Sequence, residues 1–175
     1  MGYFSVGVNS TVLFNYLFRN TPDDPYAQFA RNFTDSANGL ATGGNGNLPS
    51  YVLKPYVNWA YKDVRVSLSG TYLPSVIAQG SLFAGAQAAN NQRADGKAFF
   101  IPSYSTIDVS FSYGVPNFGR NWMKGLTLTA GALNVTNKQA PFVPGGGSDQ
   151  SESNTNKSTY DIIGRQIFLE IKKAF

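Results

Sequence analysis

Six stretches of this chain alternate apolar and polar residues with a period of two, a rhythm that fits extended strands with one greasy and one polar face. Gly2 to Phe18 sets Phe4, Val6, Val8, Val12, Phe14, Tyr16 and Phe18 against Ser5, Gly7, Asn9, Thr11 and Asn15. Tyr51 to Tyr61 alternates next, and Lys62-Asp63 turns it back into Val64 to Tyr72, where Val64, Val66, Leu68 and Tyr72 oppose Arg65, Ser67, Ser69 and Thr71. Tyr104 to Val115, Leu126 to Asn137 and Tyr160 to Phe175 complete the set. The connections run long, short, long, medium, long. Those over residues 19–50, 73–103 and 139–159 are rich in Gly, Pro, Asn, Asp and Ser and read as loops.

Alternation alone suits a soluble antiparallel sandwich as well as a membrane barrel. The polar parity separates them, because it carries Ser, Thr, Asn and Gly, whereas exposed soluble sheets guard themselves with Lys and Glu. Only 14% of residues are charged, against an ordinary ~25%, while aromatics reach 14%. Phe18, Tyr51, Tyr61, Tyr72, Tyr104 and Tyr113 fall at strand ends, where interfacial aromatic girdles sit. Strands of ~9–11 residues with short turns on one side and long loops on the other are the pattern of outer-membrane barrels. The expected fold is therefore all-β, an antiparallel transmembrane β-barrel segment. An open edge in lipid leaves backbone groups unsatisfied, and single-chain barrels start at about eight strands, so six must belong to a larger sheet or be completed by other copies.

Several classes of function recede. Polar residues such as Asn9, Ser10, Thr11 and Asn15 interrupt every apolar stretch, which excludes a membrane-crossing helix. The start lacks a basic, apolar and small-residue leader pattern, so no signal peptide is read here, and an exported protein is expected to have lost its beginning. The fourteen basic residues are scattered, with only Lys172 and Lys173 adjacent, which gives no stripe for nucleic acid. Without His or Cys, and with Glu only at positions 152 and 170, the chain cannot build a His-based triad, a Cys nucleophile or an ordinary zinc site. No catalytic residue, cofactor or metal is expected. Asp23-Asp24 reads as a solvated loop tip, and Gly43-Gly44-Asn45-Gly46-Asn47 and Gly145-Gly146-Gly147 as loop glycines that lack the Lys-Ser/Thr of a phosphate cradle.

Three motifs carry a resemblance. Tyr104-Ser105-Thr106-Ile107-Asp108-Val109 has the form Tyr-x-x-x-Asp-hydrophobic. Gly131-Ala132-Leu133-Asn134-Val135-Thr136-Asn137-Lys138 is similar to Gly-x-x-Asn-Leu-Phe-Asn-Lys, with Val135 and Thr136 in place of Leu and Phe. Tyr160-Asp161-Ile162-Ile163-Gly164-Arg165 precedes an alternating strand that ends on Phe175, with Lys173 where an aromatic is common. Together they resemble the C-terminal end of TonB-dependent outer-membrane receptors. The resemblance implies a 22-stranded barrel around an N-terminal plug, with residues 1–175 as the C-terminal part of the barrel domain and the plug, TonB box and earlier strands outside this sequence. It also implies a location in the bacterial outer membrane and uptake of a scarce nutrient such as a siderophore, cobalamin or carbohydrate. The partners it implies are lipid and lipopolysaccharide, the rest of the barrel and plug, the TonB complex through the plug, and a small-molecule nutrient.

Within that expectation Lys54, Arg65, Asp108 and Glu170 fall on the polar parity and face the lumen, while Arg165 has the lipid-facing parity near the outer end of the last strand. Two other readings stand beside it: a passive pore or adhesin barrel assembled from short chains, and a soluble β-sandwich binding module.

Overall fold

A computed structural model describes residues 2–19, 22–23, 26–28, 30–34, 46–78, 99–116, 123–142, 155 and 159–174. Among these the chain forms β1 (Tyr3–Val12), β2 (Leu17–Phe18), β3 (Ala27–Gln28), β4 (Asn32–Thr34), β5 (Gly46–Asn47), β6 (Tyr51–Tyr61), β7 (Val64–Leu73), β8 (Val76–Ala78), β9 (Phe99–Ile101), β10 (Tyr104–Gly114), β11 (Leu126–Leu133) and β12 (Gln166–Lys173). The fold is all-β. Its main body is one six-stranded sheet in the order β1-β6-β7-β10-β11-β12, antiparallel at every pairing. The sheet is open, with β1 and β12 as its edges.

Register joins the six alternations into continuous rows. Phe4 pairs with Trp59, Trp59 with Val66, Val66 with Phe111, Phe111 with Ala130 and Ala130 with Leu169. One pleat away, the row runs Val6, Val57, Leu68, Val109, Ala132 and Ile167. A slip of one residue at any ladder would turn that strand's apolar set to the opposite face, so the hydrophobic pattern itself fixes the register. Each cross-strand apolar pair contributes on the order of 0.2–1 kcal/mol. Among the described residues no layer covers these rows: Phe4 is 64% exposed, Leu68 43%, Phe111 48% and Ile167 82%.

The buried core lies elsewhere, at the end of the sheet where the long connections gather. Leu73, Val76, Ile101, Tyr104 and Tyr160 form it, with Val52 and Ala140 packed against it. Tyr104 meets Tyr160 edge to face with ring centroids 5.2 Å apart, an arrangement that sets a positive ring edge against a negative face. Tyr104 thus departs from the expected girdle, because its parity turns it to the polar side, where the returning segment at Tyr160 covers it. Tyr51, Tyr61, Tyr72 and Tyr113 do share the apolar parity. The side chain of Phe18 lies outside the described residues.

Three strand boundaries also differ from the sequence reading. The first strand ends at Val12 because its partner β6 begins at Tyr51. One more bond, from Leu13 N to Ser50 O at 2.8 Å, closes the ladder, and the next carbonyl along that edge, Leu48 O, accepts from Arg31 N at 2.7 Å instead. Leu17–Phe18 instead makes a small antiparallel pair with Ala27–Gln28. The fifth long strand stops at Leu133, since Asn134 and Asn137 take positive φ values of 48° and 52°. The sixth starts at Gln166, not Tyr160, because Gly164 at φ 82° breaks the extended path.

The connections over 19–50 and 73–103 are more than loop. β5-β4-β8-β9 form a second sheet in which β4 and β8, one from each connection, pair in parallel. Ile77 N donates to Arg31 O at 3.0 Å and Arg31 N to Leu48 O at 2.7 Å, extending the join. Strands of two or three residues gave no periodic signal for it.

Candidate functional site

The residues of the three motifs converge on Asn134. This side chain is 1% exposed, and nearly every polar atom on it is used. Its backbone N donates to Asp108 Oδ1 at 2.8 Å. Its Nδ2 donates to Lys138 O at 2.9 Å and to Asp161 Oδ2 at 3.3 Å. Its Oδ1 accepts from Lys138 N at 2.8 Å and, at 3.5 Å, from the Thr136 hydroxyl. Asn suits the position because it tolerates the left-handed backbone that most residues avoid and carries both a donor and an acceptor on a short stem.

A second ring of bonds binds the approach to β12. Asp161 Oδ1 accepts from Ile163 N at 2.9 Å, a local turn that a short carboxylate makes with the backbone two residues on. Asn137 Oδ1 accepts from Arg165 N at 3.0 Å. A Cβ on Gly164 would lie 2.8 Å from that same oxygen, so glycine is required by contact as well as by φ. The Tyr104 hydroxyl points at Lys138 O and Asp161 O, both at a long 3.4 Å. Tyr104, Asp108, Asn134, Asn137, Lys138, Tyr160, Asp161, Gly164 and Arg165 therefore form one knot that fastens the ends of the 139–159 connection to β10 and β11. Arg165 joins it through its backbone, ahead of β12.

Two motif residues stand apart. Gly131 lies mid-strand beneath Phe168, whose ring carbon Cζ would be 2.5 Å from an added Cβ. Glycine there leaves room for the ring to cover the polar-face backbone, as Gly7 does for Tyr56. Phe175 lies outside the described residues, as do Asp24, residues 43–45 and residues 145–147.

Lys54, Arg65, Asp108 and Glu170 share the polar face of the main sheet, by a register that pairs Lys54 with Asn9, Arg65 with Ser112, Asp108 with Ser69 and Glu170 with Thr129. They are not drawn into one cluster. Arg65, Ser112, Thr129 and Glu170 occupy one row, and three strand spacings of ~4.8 Å put Arg65 and Glu170 roughly 14 Å apart. Between them Ser112 and Thr129 share a hydroxyl hydrogen bond at 2.9 Å. Glu170 meets Lys172 at 3.5 Å, an exposed pair of little energetic weight. Asp108 is committed to Asn134.

No family model, curated protein or solved structure matches the chain. Among the described residues no three His, Cys, Asp or Glu groups gather into a metal-binding set. Among the described residues no helix is long and apolar enough to cross a membrane, which says nothing of strands.

In chemical terms the knot is a fastening: its donors and acceptors are consumed by one another, leaving no activated nucleophile beside a base. The polar face carries mainly hydroxyl, amide and glycine residues with sparse charges of both signs. Sequence reasoning found the members of the knot as motif letters but missed their common centre and the Tyr104–Tyr160 contact. The pattern Asn134-x-x-Asn137 followed by an Asp and a Gly was the signal for paired left-handed turns.

Proposed function

We propose that this chain is the C-terminal wall and outer-loop portion of an outer-membrane transport barrel of the TonB-dependent type, which takes up a scarce nutrient. The observation that carries this reading is the apolar face, uncovered among the described residues, whose rows run across six antiparallel strands while the opposite face carries mainly Ser, Thr, Asn and Gly, with a few charges and the rings of Tyr56 and Phe168. In water such a face would expose far more contiguous apolar surface than a soluble monomer tolerates, whereas in hydrocarbon it is already solvated. The convergence of the three receptor-like motifs on Asn134 supports the family side of the reading, since residues of separate strands share one structural task. In this role the apolar parity meets lipid and the polar parity lines the lumen beside a plug. The connections over 19–50 and 73–103, joined through β4 and β8, and that over 139–159 make up the outer surface that meets the nutrient.

Single cysteines test it along β7 and β10 of the protein in its native membrane. Positions 66, 68, 109 and 111 are expected to carry a fluorophore quenched by lipid-borne quenchers, and positions 65, 67, 110 and 112 one quenched by water-soluble iodide. Equal iodide quenching at both parities, in a protein that stays monomeric without detergent, would refute the membrane reading. If the alternation holds but the purified chain alone conducts ions across planar bilayers, the barrel is a pore of short chains and the receptor assignment fails.

A further inference from the structure

The end of the main sheet away from the knot has a chemistry of its own. The turn at Lys62-Asp63, the residues before Gly125 and the close of β12 come together there. Gly114 N donates to Asp63 O at 2.8 Å, Val115 N to Leu126 O at 2.9 Å and Ala174 N to Gly125 O at 3.0 Å, and Leu126 pairs with Lys173. Lys62, Lys124, Lys172 and Lys173 stand at this rim against Asp63 and Glu170, and all six are exposed. Glu170 meets Lys172. Immediately inside the rim lie the aromatics of the apolar face, with Trp59 and Tyr61 stacked at 6.3 Å and Tyr113 in the same row as Val64 and Leu128. The Lys62 ammonium sits 5.4 Å from the centre of the Tyr61 ring.

We infer that this short-turn rim is a binding surface for the headgroups of anionic glycerophospholipids, so that it selects a negatively charged leaflet as well as a hydrophobic slab. This rests on the membrane reading above. Amphipathic rings favour the depth where hydrocarbon gives way to headgroups, and a lysine held over such a ring keeps its ammonium at the phosphate level while its methylenes stay in contact with apolar surface. The rim's excess of lysine over carboxylate supplies the charge complementarity. Each lysine near an anionic surface strengthens binding about fivefold, and the effect falls off within a Debye length.

The test uses the full chain with Trp122→Phe, so that Trp59 alone reports insertion by its emission. Binding is compared on vesicles of phosphatidylcholine and on vesicles of phosphatidylcholine and phosphatidylglycerol in equal parts. The expected preference for the anionic vesicles is on the order of tenfold to a hundredfold, and it declines as salt is raised. Lys62→Gln, Lys124→Gln and Lys173→Gln together are expected to remove most of that preference. Arg31→Gln, Lys97→Gln and Lys157→Gln, an equal loss of charge from the long connections, are expected to keep it. Equal binding to both vesicles overturns the inference and leaves the membrane reading standing. Binding to neither overturns both. A preference that survives the rim triple variant, or disappears equally with the loop triple variant, assigns the effect to net charge and also overturns it. Should the rim variant fail to fold, the salt dependence of the unmodified chain decides, and a salt-independent preference refutes the rim.

Discussion

Between Ser110 and Tyr113, β10 is held by ladders to β7 and β11 and by matched side-chain pairs such as Ser112 with Thr129, whereas between Tyr104 and Asp108 it is also tied to Asn134, Lys138 and Asp161. The first kind of support is distributed. Any one pair is worth a fraction of a kilocalorie, and many sequences with the same alternation would provide it. The second kind is concentrated, because the N–H and C=O of Lys138 and one oxygen of Asp161 all turn to one buried amide, and deleting that amide breaks three hydrogen bonds at once. Two regions of one strand thus differ in how many residues share the task, and that difference predicts where substitutions hurt.

The largest effect is expected at Asn134. Asn134→Ala removes the acceptor of Lys138 N and the donor to Lys138 O and Asp161 Oδ2, leaving Lys138 O only the long bond from Tyr104, and places a side chain with little tolerance for φ 48° at a nearly inaccessible position. A loss of about 2–4 kcal/mol follows, read as a fall in the urea midpoint in detergent micelles. Asn134→Asp keeps the backbone tolerance but sets a third carboxylate beside Asp108 and Asp161, and is expected to be no better. If either variant costs no more than a substitution in mid-sheet, the distinction between concentrated and distributed support is broken.

Gly164 comes next. Gly164→Ala brings a Cβ to 2.8 Å from Asn137 Oδ1 and forces alanine to φ 82°, so about 1–3 kcal/mol is expected. Because the strain falls where β12 begins, the variant should also speed hydrogen exchange at Arg165 N, whose acceptor is the same Asn137 oxygen. Fast exchange at Arg165 with protection retained in mid-β12 would sharpen the comparison, since it separates the fastening from the ladder it leads into.

How much of this was legible in the sequence follows the same division. Period-two alternation located all six long strands, and β6 begins and ends where the pattern does, because a strand with one apolar face must keep its parity to its last paired residue. The strands were read past the ends of β1 and β11, to Phe18 and Asn137, although alternation is already lost at Leu133 and Val135, and the start of β12 is set by the positive φ of Gly164, which leaves the hydrophobic pattern beside it unchanged. The parallel join of β4 to β8 was invisible for a related reason: its strands are three residues each, too short to show a period. At the candidate site the motif letters were readable one by one. Their meeting at Asn134 depends on contacts between residues 26 and 27 positions apart, which only the folded sheet supplies.

The smallest effect is expected on the polar face of the main sheet, and it carries the comparison to its other limit. Ser112 and Thr129 share a hydroxyl hydrogen bond at 2.9 Å, and both are half-buried. Ser112→Ala removes one partner, but if this face lines the proposed hydrated lumen the Thr129 hydroxyl regains a bond from water, so the cost stays near 0.5–1.5 kcal/mol, the net worth of an ordinary hydrogen bond. Thr129→Val alone should cost a similar amount. The double variant Ser112→Ala with Thr129→Val removes both hydroxyls together and is expected to cost less than the sum of the two singles, because no lone polar group remains. Urea midpoints for the four proteins of this cycle give the coupling directly. Strict additivity would show that water serves each hydroxyl as well as its neighbour does. A coupling as large as the Asn134 loss would mean that this face is dry, and the hydrated lumen would have to be given up along with it.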